Sequence, residues 1–124
     1  MGQDARDAVL AALGAIRCAA ASTEEELHAQ AAGALRAAGI PAQHEARLAP
    51  RCRIDFLAGT IGIEIKKNRP RRDLLLAQLG RYAACGQVEE LVVVAPRGVN
   101  LPRTIGGKRV TMFSLERLWG ISLP

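Results

Sequence analysis

An aspartate, a glutamate and a lysine interrupt an otherwise largely aliphatic stretch: Asp55, Glu64 and Lys66 in RIDFLAGTIGIEIKK, residues 53–67. Carboxylates that converge repel each other, and holding them together is costly unless a cation joins them. Oxygen ligands from Asp and Glu select hard divalent ions, Mg²⁺ or Mn²⁺, which keep part of their water and accept phosphate oxygens. The backbone carbonyl of Ile65 could complete such a coordination sphere. A lysine beside the ion can orient or help deprotonate an attacking water and offset charge growing on phosphorus. These are the parts of a metal-assisted phosphodiester hydrolase.

The elements around them decide whether the three can meet. Two short apolar runs joined by Ala58-Gly59-Thr60 predict a β-hairpin, with Asp55 on its first strand and Glu64 and Lys66 on its second. Strand alternation sends Glu64 and Lys66 to one face and Ile63 and Ile65 to the other. The competing reading is a ladder of ion pairs on an exposed hairpin face.

Upstream, Val9, Leu10, Leu13 and Ile16 form one stripe of a helix over residues 4–21. Ser22 and Thr23 stop it and open a second helix to about Ala38. Ser22 with Glu25, and Thr23 with Glu26, both have capping-box spacing, and Gly39 is a natural stop. A strand over about His44–Leu48 precedes the hairpin and carries Glu45, which could face the same rim. His28 and His44 have no partner at catalytic spacing and are expected to be ordinary surface residues.

Downstream, Lys66 to Arg72 packs five bases into seven residues. Pro70 breaks the chain there. Asp73 is expected to cap a third helix from Leu74 to about Cys85. Leu91 to Ala95 is a continuous apolar run of the kind buried on both faces. Pro96 to Gly107 is expected as loop, Val110 to Phe113 as a last strand, and Ser114 as the cap of a short helix ending near Trp119. A helix between hairpin and apolar strand requires a crossover. The sheet should therefore be mixed, with helices on both sides and one domain over residues 1–124.

Composition adds bounds. The chain is 49% hydrophobic but only 3% aromatic, so its core must be aliphatic. No apolar run has the length of a membrane span, and Asp4 and Asp7 stand where a secretory signal carries bases, which points to the cytoplasm. Cys18, Cys52 and Cys85 have no zinc-site spacing and read as reduced, mostly buried thiols. Residues 1–50 hold four bases and six acids, whereas residues 51–124 hold thirteen bases and six acids. The basic half contains the hairpin, which suits a polyanionic partner. Lys67, Arg69, Arg71 and Arg72 lie where a phosphate backbone would pass after Lys66, and would add salt-dependent, sequence-independent affinity. With too few aromatics for a stacking platform, double-stranded or branched DNA fits better than a single strand.

Asp55, then Glu64-Ile65-Lys66 on a hairpin, resembles the signature of the PD-(D/E)XK nuclease superfamily, the restriction-endonuclease-like fold. The resemblance covers residues 23–95, and the αβββαβ order matches that family's core. It implies that Asp55 and Glu64 bind the metal and that Lys66 is the catalytic base or water-orienting group. It also implies an acid from the first core helix, which points to Glu24, Glu25 or Glu26. Glu24 ranks first, because Glu25 and Glu26 have capping duties. Gln78 and Tyr82, four residues apart on the third helix, match the residues that such nucleases present to the site. The family's Pro is missing, since Ile54 precedes Asp55.

The resulting expectation is a small Mg²⁺- or Mn²⁺-dependent endonuclease. One site cannot cut both strands of a duplex at once, so a homodimer or larger assembly is expected. The alternatives are a nucleic-acid-binding or regulatory domain that kept the fold without the activity, as in a mobile-element or defence system, and an oligomerisation module built on helix 4–21.

Overall fold

The computed structural model describes residues 2–17 and 22–118. It is an α/β structure in the order α1 (Gly2–Leu13), α2 (Glu24–Ala37), β1 (Gln43–Ala49), β2 (Cys52–Ala58), β3 (Ile61–Ile65), α3 (Arg72–Ala83), β4 (Glu90–Ala95), β5 (Thr104–Ile105), β6 (Lys108–Ser114) and the single turn α4 (Leu115–Leu118). The strands form one open six-stranded sheet in the order β1-β2-β3-β4-β6-β5. β1, β2 and β3 run antiparallel in sequence, whereas β3, β4 and β6 are mutually parallel. The sheet is therefore mixed. The switch falls at β3, because α3 must carry the chain across before β4 can pair parallel to it.

Two aliphatic cores follow from that crossover. Phe56, Ile63, Ile65, Val92 and Val94 pack against Leu27, Ala31 and Leu35 of α2 and Val9 and Leu13 of α1. On the other face Ile54, Leu57, Leu91 and Val93 pack against Leu75, Leu79 and Tyr82 of α3. β4 is buried along its whole length, as a central parallel strand covered on both faces should be. Gly62 is required by this packing: a Cβ there would lie 2.6 Å from Ile54 Cδ1 and 3.0 Å from Leu91 Cδ2.

Several boundaries differ from the sequence reading. α1 ends at Leu13, and Ala15 and Ile16 tighten into i→i+3 bonds before Arg17. The Gln30 side chain then grips both the N–H and the C=O of Arg17, at 2.7 and 2.8 Å. The rest of the expected helix, from Cys18 to Ala21, lies outside the described residues, as do Cys18 itself and Trp119. α3 begins at Arg72, and Asp73 is not its cap. Asp73 sits inside the first turn, where it favours the helix dipole and accepts from Arg71 Nη2 at 3.0 Å. The segment 96–107 is not all loop, since Thr104–Ile105 pairs with β6 across Gly106 and Gly107, both at positive φ. Ser114 accepts from the Gly98 N–H at 2.7 Å. Cys52 and Cys85 are free thiols but half-buried, since each lies at the edge of the α3-side core and not within it.

Candidate active site

The β2–β3 ladder stops at Phe56–Ile63, one residue short of Asp55 and Glu64. Beyond that point side chains take over the backbone's hydrogen bonding. Asp55 Oδ2 accepts from the Ile65 N–H at 2.8 Å, and Glu64 Oε1 accepts from the Asp55 N–H at 3.4 Å. The open end of the hairpin thus places both carboxylates at the carboxyl end of β3, where parallel α/β sheets present their ligand sites.

β1 and β2 also lose their alternation at this level. Ile54 packs on the α3 face and Phe56 on the α2 face, although strand residues two apart ordinarily share a face. Asp55 lies between them. On β1 the pairs His44–Phe56 and Ala46–Ile54 flank Glu45, which has φ +56°. A left-handed non-glycine residue costs about 1–3 kcal/mol and tends to occur at functional sites. Here it lets the neighbours His44 and Glu45 turn their side chains towards the same place.

Glu64 faces α3 and is held on every side. Its side chain is only 6% exposed, which rules out the exposed ion-pair ladder. Tyr82 OH donates to Oε1 at 3.0 Å, Gln78 Nε2 donates to Oε2 at 3.1 Å, and Lys66 Nζ lies 3.2 Å from Oε2. Gln78 also donates to Tyr82 OH at 3.0 Å, so the two α3 residues form one network with the carboxylate. Burial pushes the Glu64 carboxyl above its usual range, and the neighbouring Asp55 charge adds to the shift. Asp55 is raised too, mainly by burial, against the opposing Ile65 N–H. Tyr82 is pushed well above the phenol range by burial and by Glu64.

On the other side of Asp55 stands α2, and the residue it presents is His28, not one of its glutamates. His28 is buried, which corrects its reading as a surface residue. Its Nε2 lies 3.5 Å from Asp55 Oδ2 and has no hydrogen-bond partner. Its Nδ1 is 2.9 Å from His44 Nε2, and His44 stacks on Phe56 with ring centroids 4.7 Å apart. The sequence did hold a signal: His28 shares the stripe of Ala31 and Leu35, three and seven residues on. Glu26 is engaged in a complete capping box with Thr23, and the Thr23 N–H holds its carboxyl below the usual range. Glu24 and Glu25 are exposed on the rim of a cavity of about 450 Å³ shared with His28, His44 and Glu45. Glu45 reaches further in, with Oε2 at 4.0 Å from His28 Nδ1 and 3.8 Å from His44 Nε2.

The basic segment after Lys66 is exposed at Lys67 and Arg69, while Arg71 pairs with Asp73 and Arg72 Nε donates to the Asn100 carbonyl at 2.6 Å. Arg69 and Arg97 line an open cavity of about 880 Å³ beside the ends of β4 and β6. No helix among the described residues is long and apolar enough to cross a membrane. Comparisons with family models, curated proteins and solved structures match nothing to this chain.

Proposed function

We propose that this protein hydrolyses phosphodiester bonds of double-stranded or branched DNA with the help of Mg²⁺ or Mn²⁺, using a PD-(D/E)XK-type site on a restriction-endonuclease-like core. One observation carries this reading: two largely buried carboxylates, both held above their usual range, converge at the open end of the hairpin with a single ammonium between solvent and Glu64. Such a site lacks positive charge, and its donors are hard oxygens suited to these ions. Asp55, Glu64 and the Ile65 carbonyl are the groups that would hold the ion, which when bound would polarise the phosphate and lower the pKa of a water.

The chain's own residues divide the remaining work. Lys66 is half-buried and can orient a water while it leans on Glu64. Gln78 and Tyr82 fix both Glu64 oxygens, so the carboxylate does not swing as charge develops. Lys67 and Arg69, exposed just beyond, are free to meet the phosphates of a passing strand.

Purified protein should nick supercoiled plasmid or cut branched DNA with either ion. Asp55→Asn, Glu64→Gln and Lys66→Ala should each lower the rate by roughly 10²-fold or more, the usual effect of removing a charge-stabilising group. A second reading has support from Glu64, both of whose oxygens already accept donors, as in a purely structural network. On that reading the domain docks on nucleic acid without cutting it. Absence of cleavage of linear, supercoiled and branched DNA with both ions, together with binding at low salt, would favour docking over hydrolysis.

A further inference from the structure

His28 Nδ1, His44 Nε2 and Glu45 Oε2 form a triangle with sides of 2.9, 4.0 and 3.8 Å. The point equidistant from the three atoms lies about 2.1 Å from each, which is the bond length of Zn²⁺ and similar ions to imidazole and carboxylate (~2.0–2.2 Å). No other group of three or more such ligating residues comes as close together among the described residues. Two imidazoles and one carboxylate suit a first-row transition ion far better than Mg²⁺.

We propose that His28, His44 and Glu45 form a second cation site for Zn²⁺ or a similar transition ion, distinct from the oxygen site of Asp55 and Glu64. Three independent features point there. The left-handed backbone at Glu45 brings two consecutive strand residues to one place. The three residues share a solvent-open cavity, which leaves room for water or a further ligand on the ion. Finally, His28 Nε2 is a buried nitrogen without a partner, in a side chain only 10% exposed.

An ion on Nδ1 would resolve that last anomaly. It places the ring proton on Nε2, and this nitrogen faces Asp55 Oδ2 at 3.5 Å. Metal-bound histidines characteristically donate their second N–H to a carboxylate, which fixes the ring and raises ligand affinity. Asp55 would then act twice, as a ligand of the oxygen site and as the positioning group of His28. The transition ion would clamp α2 to the edge strand β1 and hold Asp55 from behind. The site stands on its own geometry, whether or not the protein cleaves DNA.

Co²⁺ is the probe, added to the full chain with Mg²⁺ in large excess so that oxygen sites are occupied. Wild-type protein should take up one equivalent and develop visible d–d absorption. His44→Ala and Glu45→Gln, both at exposed positions, should weaken this binding at least tenfold, whereas Glu64→Gln should retain it. Zn²⁺ should displace the Co²⁺ and bleach the band. Unchanged affinity in both His44→Ala and Glu45→Gln overturns the proposal. So does intense thiolate charge-transfer absorption, which would put the ion on cysteines, and so does a wild-type protein that binds no Co²⁺.

Discussion

Asp55 stands between two walls that treat polar groups in opposite ways. On the α3 side, every oxygen of Glu64 has a donor, Gln78 donates to Tyr82 OH, and the Arg53 carbonyl lies 3.1 Å from that hydroxyl, an alternative acceptor for its one proton. On the α2 side, His28 Nε2 has no partner, Glu45 is in a left-handed conformation, and the nearest carboxylate–imidazole distances are 3.5 to 4.0 Å. The first wall is complete without any ligand. The second holds one close contact, His28 Nδ1 to His44 Nε2 at 2.9 Å, while its carboxylate–imidazole spacings are too long for hydrogen bonds and suited to something between the groups. A closed network fixes a reacting group in place, whereas an open one has free valence to bind.

The sharpest way to break this contrast is to cut one bond in each wall. Tyr82→Phe removes the only hydroxyl on Glu64 Oε1 and leaves a buried carboxylate short of a donor. That should cost about 1–3 kcal/mol of unfolding free energy, the usual penalty for orphaning a buried polar group. His44→Ala in metal-free buffer removes one imidazole–imidazole contact at 2.9 Å and a ring stacked on Phe56, and should cost less, about 1 kcal/mol. Urea unfolding of the two variants decides. Equal losses would mean that the α2 wall is as tightly closed as the α3 wall.

The pH dependence probes the same contrast more gently. Asp55 and Glu64 are both raised above their ordinary values by burial. Between the unfolded and folded values the native state binds more protons than the unfolded chain. Stability therefore falls as pH rises through that window and is greatest on its acid side. Glu64→Gln should flatten the fall in metal-free thermal unfolding scans, leaving only the Asp55 contribution. Saturating Mg²⁺ should reverse it, because a cation binds the ionised carboxylates and stabilises the native state by mass action, about 2.7 kcal/mol at a hundredfold excess over Kd. A slope that Glu64→Gln leaves untouched would show that Glu64 ionises as freely in the folded chain as in the unfolded one.

The two walls also differ in how far the sequence foretold them. The hairpin and the crossover helix follow from period-2 and period-3.6 patterns, which act over a few residues. The placement of Gln78 and Tyr82 beside Glu64 is implied only by the family resemblance, periodicity giving no more than their shared helix face. The α2 wall depends on a break in that local rule. A left-handed residue is ordinarily signalled by Gly or Asn, and Glu45 is neither, so nothing in the chain announces that His44 and Glu45 will converge. His28 was legible in principle, since it lies on the buried stripe of α2. Reading it as a surface residue because it had no partner at catalytic spacing concealed it. Of the acids of α2, Glu26 closes the capping box that local spacing assigned to it, while Glu24 and Glu25 are exposed at the rim of the cavity.

The smallest expected effect tests whether the strain at Glu45 is held for binding. Glycine adopts φ +56° without a Cβ penalty, so Glu45→Gly relieves about 1–2 kcal/mol of left-handed cost. The freer unfolded chain takes back roughly 0.5–1 kcal/mol. The variant should end a few tenths of a kcal/mol more stable than wild type in metal-free buffer, by urea titration, yet lose the Co²⁺ site. Arg51, at φ +60° in the tight β1–β2 turn, provides the comparison: Arg51→Gly should gain similar stability and leave Co²⁺ binding intact. If Glu45→Gly were destabilising, the Glu45 carboxylate would be contributing to the fold without metal, through Arg53 Nη1 at 3.8 Å or the two histidines. The left-handed backbone would then be the cost of an ordinary surface ion pair, and the openness of the α2 wall would carry no information about a ligand.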